Sequence, residues 1–146
     1  MKTFLLILGN LWMLPNTLIG ASYLAIFWAA GWIELNFLSL SEIDLQIKKD
    51  CWLYKRMGDS WFGWSSGIFS ILKEDRSIRR NIYHEQRHIQ QQMLFGPLFL
   101  LLYLLAGLYA MYKNKSFYSD NVFEKDAKHY SLQKYMRSCN NMFKRR

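Results

Sequence analysis

His84 and His88 stand four residues apart, with a glutamate beside the first, in the run His84-Glu85-Gln86-Arg87-His88. On an α-helix that spacing puts both imidazoles on one face. Two neutral imidazoles side by side can occupy two corners of a tetrahedral zinc site. Glu85 is then placed to act as general base on a water acidified by the ion, against a carbonyl that the same ion polarises. The expected chemistry is zinc-assisted hydrolysis, with Zn2+ as cofactor, His84 and His88 as ligands and Glu85 as the catalytic residue.

A catalytic zinc takes a third protein ligand and keeps one position open. Candidates lie downstream in Asn121-Val122-Phe123-Glu124-Lys125-Asp126-Ala127-Lys128-His129. Glu124 is the first choice and His129 the runner-up, because a histidine five residues further along a helix points to another face. A solvated helix charge is the competing account of Glu124.

These residues need elements to carry them. A helix capped at Ser77 or Asn81 is expected to hold the motif and run to Gly96-Pro97. Leu98 to Met111 is almost wholly apolar and predicts a second helix, with Gly107 its one weak point. The basic tail from Lys113 is expected to be helical around Val122 to Met136. Upstream, Trp64 to Leu72 reads as a strand, and Ser39-Leu40-Ser41-Glu42 as the opening of a short helix ending near Lys49. Trp52, Trp61 and Trp64, set among Lys55 and Arg56, suit a lipid headgroup layer and an ordinary aromatic core equally well. At 146 residues the chain makes one domain. Its fold class is mainly α with a small β element (α+β).

The run HEQRHIQQ, then GPLFLLLYLL, then a helix bearing a glutamate, resembles the gluzincin group of zinc metallopeptidases, most of all its minimal, membrane-linked members. The resemblance covers about residues 60 to 130, and the HExxH part is its specific element. It implies His84, His88 and Glu124 as zinc ligands, Glu85 as the base, and a peptide or protein substrate. It also implies that the strand around Ser66, Gly67 and Ile68 is an edge that pairs with an extended substrate. In one respect the chain departs from the pattern. Third-ligand helices of the group often read E-x-x-A-D, whereas here the order is Glu124-Lys125-Asp126-Ala127-Lys128. Asp126 is the candidate for orienting a histidine ligand from behind, a role that governs ligand geometry and metal affinity.

From Thr3 to Ile33 there is no charged residue, which exceeds the ~20 apolar residues of a membrane helix. A signal peptide is the rival account, but the apolar run continues past Ile19-Gly20-Ala21-Ser22, the nearest thing to a cleavage site. The expected organisation is a membrane anchor over 1–33, kinked at Pro15 or folded back. A small zincin-like domain follows over 34–146, with its apolar helix at 97–112 and its basic tail. The net charge of +8 favours an acidic partner, and membrane lipid is expected; no recognition motif points to nucleic acid. Cys51 and Cys139 are read as free thiols.

Topology constrains the ligand set. If Leu94 to Tyr112 crossed a bilayer once, His88 and Glu124 would be ~30 Å apart, against a zinc–ligand bond of ~2 Å. Either the apolar helix is a buried or re-entrant backing helix, or Glu124 is not a ligand. Gly96-Pro97 and Gly107 permit a turn or close packing, and a buried, partly lipid-facing helix that returns the tail to the motif is expected. Basic segments on both sides of it are expected to face the cytoplasm. Two functions follow: a membrane-associated zinc peptidase, or a non-catalytic membrane or lipid-binding protein that retains the helix.

Overall fold

The uncharged first segment folds as two helices, α1 (Lys2–Trp12) and α2 (Leu14–Ala29), bent by 67° from one another. Pro15 accounts for the break. It has no N–H to offer the preceding turn, and its fixed φ suits the first turn of a new helix. The computed structural model describes residues 2–39, 42–58, 62–74 and 79–143. Trp61, Ser77 and the terminal Lys144-Arg145-Arg146 lie outside them.

A four-stranded sheet follows: β1 (Ile33–Leu38), β2 (Ile43–Ile47), β3 (Gly63–Ser66) and β4 (Phe69–Lys73), in the order β1-β2-β4-β3. The β2–β4 pair is parallel and the other two are antiparallel. A short helix, α3 (Trp52–Arg56), lies on the crossover between β2 and β3. The helix expected near Ser39 to Lys49 is corrected to strand over Ile43–Ile47, while Leu40 and Ser41 lie outside the described residues. Ile43, Leu45 and Ile47 alternate with Asp44 and Gln46, a period of two that puts the three apolar side chains on one face. The single strand expected from Trp64 to Leu72 is likewise a hairpin. Gly67 turns the chain at φ +58, and a Cβ there would run into the backbone of Thr17 on α2.

The two sheet faces differ in chemistry. Leu45, Ile47 and Ile71 join Leu24 of α2 and Ile33 in a buried apolar cluster, with Trp64 packed against it. On the other face Asp44, Ser70 and Ser65 are cross-strand neighbours in one row, beneath the next helix. That helix is α4 (Arg79–Phe95), which carries the HEQRH run. Asn81 falls inside it and is no cap. A 3-10 turn over Gly96–Leu98 leads to the apolar α5 (Phe99–Tyr112), and α6 (Val122–Phe143) closes the chain against α4. The molecule is thus mainly helical with a small sheet.

The first segment is seated in this assembly. Trp12 lies over Gly96, and Asn16 is buried, donating from Nδ2 to the Gly96 carbonyl at 2.9 Å. Ser66 Oγ donates to the Asn16 carbonyl at 3.0 Å. The outer faces of α1 and α5 remain apolar and open to solvent, with Phe4, Leu8, Leu11, Leu101, Leu105 and Leu108 all exposed. Arg79–Tyr112 forms one helical stretch of 34 residues, long and apolar enough to cross a membrane.

Glu42 ties three layers together. Its Oε2 accepts from Gln86 Nε2 of α4 at 2.8 Å, and Lys134 of α6 donates to Gln86 Oε1 at 2.7 Å. Burial pushes the Glu42 carboxyl up from 4.5 to about 7; the Gln86 bond and Lys134 oppose this, and Asp44 adds to it. A carboxyl raised on folding stabilises fully below its unfolded pKa, and that contribution is lost as pH rises through about 7. Thermal stability should therefore fall between about pH 5 and 8, and Glu42→Gln should flatten that slope in a melting series. A slope identical in wild type and variant would remove Glu42 as its cause.

Candidate metal centre

α4 buries a face that is polar but for Ile89: Asn81, His84, Glu85, His88, Gln91 and Gln92. Opposite it, Asn121 caps α6. Its Oδ1 accepts from the Phe123 N–H at 3.0 Å, and its Nδ2 donates to the Tyr103 carbonyl of α5 at 3.0 Å. The cap fixes the first turn of α6 against α5, and with it Glu124. A carboxylate is favoured there by the positive end of the helix dipole.

The segment between α5 and α6 runs back along α5, with Phe117 packed on Gly107 and against Tyr103. This return brings Glu124 to the motif. His84 Nε2 lies 3.2 Å from Glu124 Oε2, His88 Nε2 lies 3.2 Å from Oε1, and the two imidazole Nε2 atoms are 3.1 Å apart. All three side chains are buried. Two ligands at ~2.0–2.1 Å from a tetrahedral ion sit about 3.3 Å from each other. The spacing of the cluster therefore fits a metal ion, and His84, His88 and Glu124 could hold one.

The proton on His88 can be assigned. Gln91 Nε2 donates to Asp126 Oδ2 at 2.7 Å and to the Phe123 carbonyl at 3.1 Å, which turns the Gln91 Oε1 toward His88 Nδ1 at 2.8 Å. An amide oxygen only accepts, so Nδ1 carries hydrogen. In the neutral ring, Nε2 then offers its lone pair to the cluster. Asp126 acts on His88 through Gln91, and is itself held by Arg87 Nε at 2.7 Å. Arg87 keeps the Asp126 carboxyl below its usual range. Gln91→Ala frees the His88 ring, and zinc competition titrations should show affinity reduced by about 10- to 100-fold. Unchanged affinity would mean that the ring is held by packing alone.

Charge accumulates around the cluster. Burial raises the Glu124 carboxyl, but its bonds to His84 and His88 outweigh this and hold it well below the ordinary range. Tyr103 also donates to Glu124 Oε1 at 2.7 Å. Burial would lower His88, yet the bond to Glu124 and the charge of Glu85 raise it. Glu85 is fully buried; burial pushes its carboxyl up to about 8, with Glu124 adding to the rise while His88 and Ser65 oppose it. Among the described residues one Glu85 oxygen has no hydrogen-bond partner. A cation in the cluster would favour the ionised form of both carboxylates.

Two cavities meet at the cluster, of about 200 and 300 Å³, sharing Tyr118 and Glu124. The larger is bounded by Gly63, Trp64 and Ser65, so the strand edge beside Glu85 is β3 itself. Ser66, Gly67 and Ile68 are engaged elsewhere. Ser66 bonds Asn16, the Gly67 N–H donates to Gln92 at 2.8 Å, and the Ile68 carbonyl accepts from Ile43. His129 is exposed on α6 and pairs with Gln133, apart from the cluster. Gln91 closes the run HEQRHIQQ that carries the resemblance, but nothing in the sequence assigned it a role; Tyr103, an aromatic in an apolar helix, had no distinguishing mark. No protein-family model, curated protein or solved structure matches the chain, so the metal centre is argued from the chain's own residues.

Proposed function

We propose that the protein is a membrane-associated, zinc-dependent peptidase of the gluzincin type, with its site on the cytoplasmic face. The observation that carries this reading is the convergence of His84, His88 and Glu124, their ligand atoms all within 4.8 Å, beside the buried carboxylate of Glu85. Two imidazoles and one carboxylate are a set that would suit zinc and, in a catalytic site, would leave one position for water. When bound, the ion supplies a Lewis acid that acidifies water and polarises a carbonyl. Glu85 takes the proton from the attacking water as its oxygen adds to the carbonyl carbon. The same carboxyl then gives the proton to the departing nitrogen as the C–N bond breaks, leaving a carboxylate and an amine. Gln91 and Asp126 orient His88, while Tyr103 steadies Glu124.

The apolar faces of α1 and α5 support attachment to lipid, since soluble surfaces rarely expose continuous apolar patches of that extent. The helical stretch Arg79–Tyr112 that includes α5 is long enough to cross a bilayer. A single crossing would carry Glu124 away from His84 and His88, which it meets. The return segment along α5 carries Lys113, Lys115 and Asp120. We therefore read α5 as lying in the membrane interface with one face toward lipid.

The apolar surface by itself also favours the second reading, a lipid-binding protein without catalysis. Metal removal separates the two. Under the peptidase reading the purified chain carries about one zinc, a chelator abolishes hydrolysis of a fluorogenic peptide, and added zinc restores it. A zinc-free chain that binds vesicles and cleaves no peptide sinks the proposal.

A further inference from the structure

The two cavities that meet at Glu124 differ in lining: lysine and arginine face only the smaller. The larger is walled by Trp64, Phe99, Leu100 and Tyr103. The smaller is lined by Arg80 and Lys128 together with Asn81, Ser119 and Ser131. Arg80 lies in the first turn of α4 and Lys128 on α6, so two cations from different helices face one space. Both are exposed, and among the described residues neither enters an ion pair or a side-chain hydrogen bond. Acids lie close at hand elsewhere: Asp126 takes Arg87 and Asp120 takes Lys125. Leaving Arg80 and Lys128 without such partners beside a metal cluster makes this end of the cleft attract anions.

Strand direction says which anion. β3 enters from Phe62, at the basic cavity, and runs through Gly63 to Ser65 along the apolar one. Its outer edge carries no further strand among the described residues. A peptide pairing antiparallel with that edge, the commoner arrangement, runs the opposite way. Its residues before the scissile bond lie at Trp64 and Phe99, and its C-terminal end points to Arg80 and Lys128.

We propose that the cleft selects peptides by a carboxylate placed just C-terminal of the cleaved bond and held by Arg80 and Lys128, with an apolar side chain on the other side of the metal cluster. The antiparallel direction favours the free carboxylate of a peptide C-terminus, so that short C-terminal pieces are removed. The proposal rests on the peptidase reading above. Arg80 offers a planar pair of donors suited to a carboxylate, and Lys128 adds a mobile point charge.

The test uses the full-length, zinc-loaded protein in lipid nanodiscs and three peptides of one apolar sequence. The first ends in a free carboxylate, the second in an amide, and the third in an amide with a glutamate placed after the scissile bond. Wild type should cleave the first with kcat/KM about 10- to 100-fold above the second, the worth of a charge-assisted hydrogen bond. Arg80→Ala and Lys128→Glu should bring that ratio to about one or below, whereas Lys115→Ala, at the distant end of α5, should keep it. Zinc content equal to wild type shows that each variant retains its centre. If the third peptide is preferred as strongly as the first, the carboxylate pocket stands and an internal acidic residue also fills it. A wild-type ratio of one, or a ratio that survives both substitutions, overturns the proposal. Binding to phosphatidylserine vesicles that drops in both variants, with no peptide discrimination, overturns it in favour of a headgroup site. Binding of the same peptides to zinc-loaded Glu85→Gln reads the pocket without turnover. Discriminating binding with no wild-type hydrolysis would keep the pocket and sink the peptidase reading; hydrolysis without discrimination would do the reverse.

Discussion

Glu85→Gln should lower peptide hydrolysis by about 10²- to 10⁴-fold while the protein keeps its zinc. The amide has the carboxylate's shape but cannot take a proton from water, so the general base is lost and the ligand set is not. The side chain is fully buried, and its neighbours include Ser65 and the cluster. Introducing two amide hydrogens there costs about 1–3 kcal/mol if one finds no acceptor, which a folded domain can absorb. Turnover and zinc content should therefore separate. Activity falling with zinc retained identifies a base; activity and zinc falling together would mean that Glu85 holds the centre together and does no proton transfer. Full activity in the variant would remove hydrolysis through Glu85 altogether.

The second large effect is on the metal. Glu124→Ala removes the carboxylate that both imidazoles face and leaves the Tyr103 hydroxyl without its acceptor. Zinc affinity should fall by more than the roughly 10- to 100-fold that loss of an orienting partner costs, and stoichiometry after dialysis should drop toward zero. In the metal-free chain the same change leaves a buried, charge-bearing cluster without its partner, a loss of about 3–5 kcal/mol. The variant should melt at lower temperature even in chelator. His129→Ala should bind zinc as wild type does, since His129 is exposed and bonded to Gln133. Equal loss of zinc in both variants would contradict the assignment of the third ligand.

Much of the centre was legible because helical spacing is rigid. Four residues bring His84 beside His88 whatever surrounds them, and the requirement for a third ligand led past the apolar stretch to Glu124. That α5 must bring the tail back if Glu124 is a ligand was also readable, from the incompatible lengths of a zinc bond and a bilayer. The sheet was harder. Ser39 and Glu42 imitate a helix start, and the period-two pattern of Ile43, Leu45 and Ile47 is too short to override that imitation without the pairing partners it finds in β1 and β4. At Trp64 to Leu72 the apolar run spans a turn, and the turn at Gly67 is demanded by Thr17, about fifty residues away along the chain. Gln91 is more instructive. The run HEQRHIQQ ends on Gln91, yet nothing in Gln90-Gln91-Gln92 says what that amide does for His88. The choice is made by Asp126 and the Phe123 carbonyl, and those exist at that place only once α6 has docked.

Asn16 and the Gly96 carbonyl are separated by 80 positions in the chain, and their bond has a consequence for how the protein comes to be. The first 29 residues leave the ribosome long before the helix they embrace. During that interval the amide of Asn16 has no partner within α2, and the apolar sides of both helices have only lipid or a chaperone to cover them. Contacts between such distant parts of a chain close late and slowly. The helix that carries His84 and His88 would thus be completed from behind by a segment made long before it, and formation of the centre would be coupled to the docking of α1 and α2. A chain begun after residue 29 would expose Met93, Gly96 and Ser66 to water, and the first two helices and the metal centre would prove to be a single cooperative unit.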